Sequence, residues 1–242
     1  MTAAAKEKRE VTLPAGVSLR RVAQVLLDAW EADPRRWMNG PSQLREEPAA
    51  PGAAMPVPQD ALDLFRLLAD RRVDYLLVGG MAMLTYVKGR NTKDVDLLLS
   101  LDASHQVPEL EIRSRQDFLA RAQFRSVQVD LLLTLNPLFK TVAERFATQH
   151  QFAELEVPAA TVEGLIVLKL YALPSLYRQF DMDRAALYEN DITMLLANHS
   201  PAVEPLLDLA AREMEPGDRE ELRRIVLECG QRAERLRQRT LR

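Results

Sequence analysis

The sequence predicts an α+β protein in which a short mixed sheet flanked by helices is followed by a C-terminal helical region. Two observations predict it. Between Val73 and Ser100 an apolar run, Tyr75-Leu76-Leu77-Val78, ends in Gly79-Gly80. A helix-compatible segment over 81–87 follows, and Asp94-Val95-Asp96 then leads into Leu97-Leu98-Leu99, giving the order strand, tight turn, helix, strand. From Thr141 onward apolar residues recur at helical spacing, which predicts helices over 162–173, 183–197, 203–214 and 218–239.

Each element has its own local reason. Residues 1–14 are small and charged, and Ser18 is a candidate N-cap for a helix with Val22, Val25, Leu26 and Trp30 on one stripe. Residues 39–58 carry Pro41, Pro48, Pro51, Pro56 and Pro58, which is linker chemistry. The expected division is therefore 1–58 as N-terminal helix and linker, 59–150 as α/β core, and 151–242 as helical region. Leu62, Phe65, Leu68 and Ala69 predict an amphipathic helix over 60–69. A polar stretch to Gln116 and a helix or loop around Phe118 to Ala122 come after Ser100. Val127 and Val129 then alternate with Gln128 and Asp130 ahead of Leu131-Leu132-Leu133, a strand that again starts with an acid. Asp181 and Asp183 precede a helix and suit an N-cap with a charged first turn, and Asp218 with Glu221 resembles a capping box.

Composition narrows the function. A formal charge of -3 over 242 residues argues against coating nucleic acid through bulk charge, while 47% hydrophobic content supports an ordinary core. The single Cys229 excludes an internal disulfide, and His105, His150 and His199 lack zinc-ligand spacing. With no apolar leader and no run approaching the roughly 20 residues of a membrane span, the expectation is a cytoplasmic protein without membrane contact.

The chemistry concentrates in three acids. Successive strand residues alternate faces, so Asp94 and Asp96 share one side while Val95 points away. Two carboxylates so placed repel, and a cation or a proton relieves the repulsion. Oxygen-only ligands at this spacing suit Mg²⁺. A strand over 127–134 beside the first would add Asp130. Gly79-Gly80, at a strand-to-helix turn, lets backbone amides approach a phosphate. The glycine patterns of a dinucleotide-binding turn or a P-loop are absent.

Together these residues resemble the nucleotidyltransferase superfamily related to DNA polymerase β. Gly79-Gly80 followed by Arg90-x-Thr92-x-Asp94-x-Asp96 looks like its AbiEii-type branch, several members of which are toxins of toxin–antitoxin pairs. The resemblance covers Asp60 to about Asn198. It implies a nucleotidyltransferase fold and transfer of a nucleoside monophosphate from an NTP to an RNA end, a protein hydroxyl or a small molecule, with Mg²⁺ or Mn²⁺ as cofactor and an antitoxin protein as partner. By the same resemblance, Asp94, Asp96 and Asp130 are metal ligands and catalytic. Gly79, Gly80, Arg90, Thr92, Lys93 and Asp191 then lie along the nucleotide, and Lys169 reaches its phosphates. Met81 stands where many active members carry serine. A catalytically silent module of this fold, binding nucleotide or a partner protein, is the alternative, and an aminoglycoside adenylyltransferase a third reading.

Lys169 is notable without any resemblance. Leu165-Ile166-Val167-Leu168 precede it and Leu170-Tyr171-Ala172-Leu173 follow, so almost every nearby helical face is apolar: its ammonium either is buried and needs a partner or snorkels to solvent along its stem. The C-terminal stretch interleaves Arg219, Arg223, Arg224, Arg232, Arg235, Arg237, Arg239 and Arg242 with Glu220, Glu221, Glu228 and Glu234, the pattern of a solvated face with ion pairs along the helix, with RNA or partner binding as the alternative.

Overall fold

The computed structural model describes residues 59–87, 92, 94–212 and 214–240. The helix expected after Ser18, the proline-rich linker, Arg90, Lys93 and Arg242 lie outside the described residues. Helix α1 (Gln59–Asp70) delivers the chain into β1 (Tyr75–Val78), and α2 (Gly79–Met83) leads to β2 (Val95–Leu99). The following elements are α3 (Leu101–His105), β3 (Glu111–Arg115), β4 (Leu119–Phe124), β5 (Val127–Leu133), α4 (Pro137–Arg145), β6 (Ala147–Phe152) and β7 (Leu155–Ala160). Four helices close the chain: α5 (Val162–Arg178), α6 (Met182–His199), α7 (Glu204–Ala210) and α8 (Pro216–Thr240).

The strands form one mixed seven-stranded sheet in the order β3-β4-β5-β2-β1-β7-β6. All four residues of β1 are buried, each apolar side chain contributing about 1.5–3 kcal/mol on leaving water. This strand runs antiparallel to β2 and parallel to β7. On the other side β2 runs parallel to β5, and β5 antiparallel to β4.

Several local expectations change. In α1 the buried stripe is Ala61, Leu64, Phe65 and Leu68, so Leu62 is only half-buried and Ala69 is exposed. The helix expected over 81–87 starts at Gly79 and stops at Met83, because the chain turns at Leu84 to Tyr86. Phe118 lies in the turn before β4, as expected, but Leu119 to Ala122 is strand, the first part of β4, which pairs with β3 on one side and β5 on the other. Helical structure does not take over at Thr141. The hairpin of β6 and β7 intervenes and adds two strands, so the sheet runs past position 150 to Ala160 and the helical region begins at Val162. Helix α5 also continues through Pro174 to Arg178. The ring removes the amide that would bond the Leu170 carbonyl, but Leu173, Leu176 and Tyr177 are buried and packing holds the last turn.

Side-chain caps open α3, α4, α5 and α6. Asp181 accepts from the Arg184 amide at 3.3 Å and is the N-cap of α6. Asp218 is not a cap: α8 starts at Pro216, and Asp218 in its first turn pairs with Arg178 at 2.7 Å. The arginines of α8 pair locally, as Arg224 with Glu221 at 3.1 Å, or tie down other helices. Arg232 donates to buried Glu189 at 2.8 Å, and the Tyr177 hydroxyl donates to the same carboxylate, linking α8, α6 and α5. His150 and His199, remote in sequence, meet edge-on at the ring of Tyr86, with centroids 5.0 and 5.4 Å away. No helix among the described residues is long and apolar enough to cross a membrane.

Candidate active site

A cavity of about 920 Å³ opens on the sheet over the start of β2 and the middle of β5, walled by α5, α6, the β3–β4 hairpin and the beginning of α8. It lies near the top of the roughly 300–1,000 Å³ range of small-molecule sites. Asp96 and Asp130 face each other in register across the parallel pair, so both carboxyls project from one side of the sheet, and both line the cavity. Asp94, just before β2, is exposed and does not line it.

The glycine turn shapes this floor. Gly79 has φ +62°, a conformation that favours glycine. A Cβ there would also run into the Asp96 carboxylate. The Gly80 amide donates to Asp96 Oδ2 at 3.2 Å, and a Cβ on Gly80 would stand 2.6 Å from Thr92 Oγ1. Gly79 lines the cavity, whereas the Gly80 amide holds the acid. Half-buried Thr92 packs over Gly80 and donates to the Asp94 carbonyl at 3.3 Å. Met81, which stands where many members of the resembled family carry serine, is fully buried in the core and does not line the cavity.

Burial pushes the Asp96 carboxyl up to about 6, and the Asp130 carboxylate adds to the shift. The Gly80 amide and the cations Lys169 and Arg184 oppose it. Lys169 lines the cavity from α5. Its Nζ lies 2.8 Å from Asp191 Oδ2 and 4.4 Å from the centroid of the Tyr188 ring. The lysine thus has its buried partner on α6, behind the cavity wall.

Three groups at this cavity escaped the sequence reading. Arg184 and Tyr188 come from α6, with the guanidinium carbon 5.8 Å from the ring centroid. Arg184, Tyr188 and Asp191 are spaced i, i+4, i+7, a one-faced helical stripe that was the available signal. Arg121 on β4 stands directly opposite Asp130, and its Nε donates to Asp130 Oδ1 at 3.1 Å. Gln128 Nε2 donates to the same oxygen at 3.3 Å.

The donor set suits Mg²⁺. Two carboxylates of mutually unfavourable charge face one cavity, and this ion is commonly held by one or two carboxylates, with substrate phosphates and water completing its shell. Among the described residues, no group of three or more His, Cys, Asp or Glu stands close enough to enclose a metal by itself.

No protein-family model and no curated relative matches the chain. Among solved structures, the chain is similar to an antigenic nucleotidyltransferase-like protein from Paracoccidioides brasiliensis, at 15% identity over 70% of this chain and 87% of that one, with a TM-score of 0.49. It is also similar to ANT(2")-Ia in complex with adenylyl-2"-tobramycin, at 14% identity over 64% of this chain and 95% of that one, with a TM-score of 0.48.

Proposed function

We propose that the chain is a metal-dependent nucleotidyltransferase moving a nucleoside monophosphate from an NTP to an acceptor hydroxyl. The observation that carries this is the in-register pair of Asp96 and Asp130 on the cavity floor, with the Asp96 carboxyl shifted upward and cationic Lys169 and Arg184 beside it. An acid pair so arranged calls for a divalent cation, and the neighbouring cations call for an anionic ligand.

Asp96 and Asp130 would hold Mg²⁺ or Mn²⁺, with Asp94, exposed just before β2, as the third acid of the set. The metal, when bound, draws charge from the triphosphate and from departing pyrophosphate. Lys169 and Arg184 orient the phosphate chain, and Gly79 leaves room for it. The acceptor oxygen forms a bond to the α-phosphorus as the bond to pyrophosphate breaks, and the hydroxyl proton passes to Asp130. Tyr188 and Asp191 fix the position of Lys169.

Incubating the full chain with each labelled NTP, Mg²⁺ or Mn²⁺, and total cellular RNA or protein tests this. Label should pass to one acceptor class and fall about 10²–10³-fold in Asp96→Asn. Transfer that survives Asp96→Asn would overturn the mechanism, and nucleotide binding without transfer would identify a silent module. The toxin setting, with RNA or a protein hydroxyl as acceptor and an antitoxin as partner, predicts growth arrest on expression that a neighbouring gene product relieves.

A further inference from the structure

Arg121 raises a question that the proposed chemistry leaves open. It stands directly opposite Asp130 across the antiparallel pair of β4 and β5, so the two side chains share a face. Its Nε donates to Asp130 Oδ1 at 3.1 Å. Asp130 is largely buried, with 19% of its side chain exposed, whereas Arg121 is 54% exposed and lines the same cavity. A tethered cation therefore sits on one of the two carboxylates that a divalent ion would need. The other cations lining this cavity are engaged differently: Lys169 is buried against Asp191, Arg178 pairs with Asp218, and Arg184 lies over the Tyr188 ring. Arg121 hydrogen-bonds directly to a candidate metal ligand.

We propose that Arg121 is a built-in competitor for the divalent cation and moves to the substrate's polyphosphate when the cation binds. This rests on the metal site proposed above. A guanidinium and a divalent ion cannot both neutralise Asp130 without repelling each other, so metal loading displaces the arginine. Arg121 projects into the cavity, and the group suited to receive a planar five-donor cation there is phosphate. Metal and polyphosphate then each improve the site for the other through one side chain, and neither is held well alone. That coupling keeps the acids from retaining a divalent ion while no nucleotide is present.

The test measures two affinities that the proposal moves in opposite directions. Mn²⁺ alone is titrated into the full chain, with free Mn²⁺ read by electron paramagnetic resonance, for wild type, Arg121→Met, Arg121→Gln and, as a control for net charge, Arg113→Met on β3. ATP binding is measured separately by calorimetry at saturating Mn²⁺. Arg121→Met and Arg121→Gln should bind Mn²⁺ about tenfold more tightly and, once Mn²⁺ is bound, ATP more weakly. Arg113→Met should change neither, and the Mn²⁺ gain should vanish in an Asp130→Asn background. If the variants bind Mn²⁺ as wild type does, or less tightly, the competitor role is overturned while the metal site stands, and Arg121 simply orients Asp130. If ATP affinity at saturating Mn²⁺ is unchanged, the transfer to phosphate is overturned. Absence of Mn²⁺ binding in wild type and variants alike would overturn both this proposal and the metal site, since removing a competitor must expose the site.

Discussion

Lys169 of α5 and Asp191 of α6 form an ion pair almost wholly closed to solvent, with 5% and 1% of their side chains exposed and 2.8 Å between Nζ and Oδ2. Taking two such charges from water is costly, and their attraction offsets the cost only while both are present. The pair therefore couples the packing of the two helices to the charge at the cavity. A change at one partner should be felt as stability as well as ligand binding.

Asp191→Ala should lower stability by about 3 kcal/mol or more, since it strips a buried ammonium of this partner. Lys169→Met in the Asp191→Leu background replaces both charges with apolar groups and should recover much of the loss. Nucleotide affinity should remain lost in that double variant. Urea melts paired with ATP calorimetry separate the two effects, and a double variant that binds ATP normally would remove Lys169 from the site.

The raised Asp96 carboxyl gives a pH signature of known sign. Its folded-state value is pushed from 3.8 to about 6, so between those values the folded chain holds more proton than the unfolded one. Stability is therefore greatest below the unfolded value, declines as pH rises through the window and levels off above about 6. Asp96→Asn removes the charge while leaving an oxygen for the Gly80 amide. In metal-free buffer the variant should be more stable than wild type at pH 7.5, by up to about 3 kcal/mol, and the difference should close near pH 3.5. Added Mg²⁺ should stabilise wild type alone.

Gly79→Ala meets two obstacles, a left-handed φ and the Asp96 carboxylate. It should destabilise the fold by roughly 1–3 kcal/mol and displace Asp96 from register with Asp130. Thermal denaturation and metal titration of the variant check this. A variant with native stability and native metal affinity would show that the turn tolerates a side chain.

The parts legible in the sequence are those where a buried face imposes a pattern. β2 and β5 announce themselves because an acid at the open end precedes an unbroken apolar run, and their shared pattern brings Asp96 and Asp130 together. β3 and β6 gave no such sign. Glu111-Ile112-Arg113-Ser114-Arg115 is exposed throughout, and Ala147 to Phe152 is an edge strand of mostly polar residues, so neither has an apolar face to read. β7 was obscured by Pro158 within its short run. Missing β4 hid Arg121, because only a strand paired with β5 brings that arginine opposite Asp130. Arg184 and Tyr188 were passed over for a different reason: a charged residue and an aromatic on a helix face look like ordinary surface until the cavity beneath them is seen.

The placement of β7 beside β1 bears on how the chain is assembled. Leu77 pairs with Ala159 across a separation of roughly 80 residues, and this contact closes the middle of the sheet. On the ribosome, β1, α2 and β2 emerge early, yet one edge of β1 stays open until the chain has been made through Ala160. A nascent or truncated chain ending near position 150 would present that buried apolar strand as a template for other chains. Completion of the β6–β7 hairpin therefore shields β1 from intermolecular pairing, and chains that terminate before it are the ones chaperones would be called on to hold.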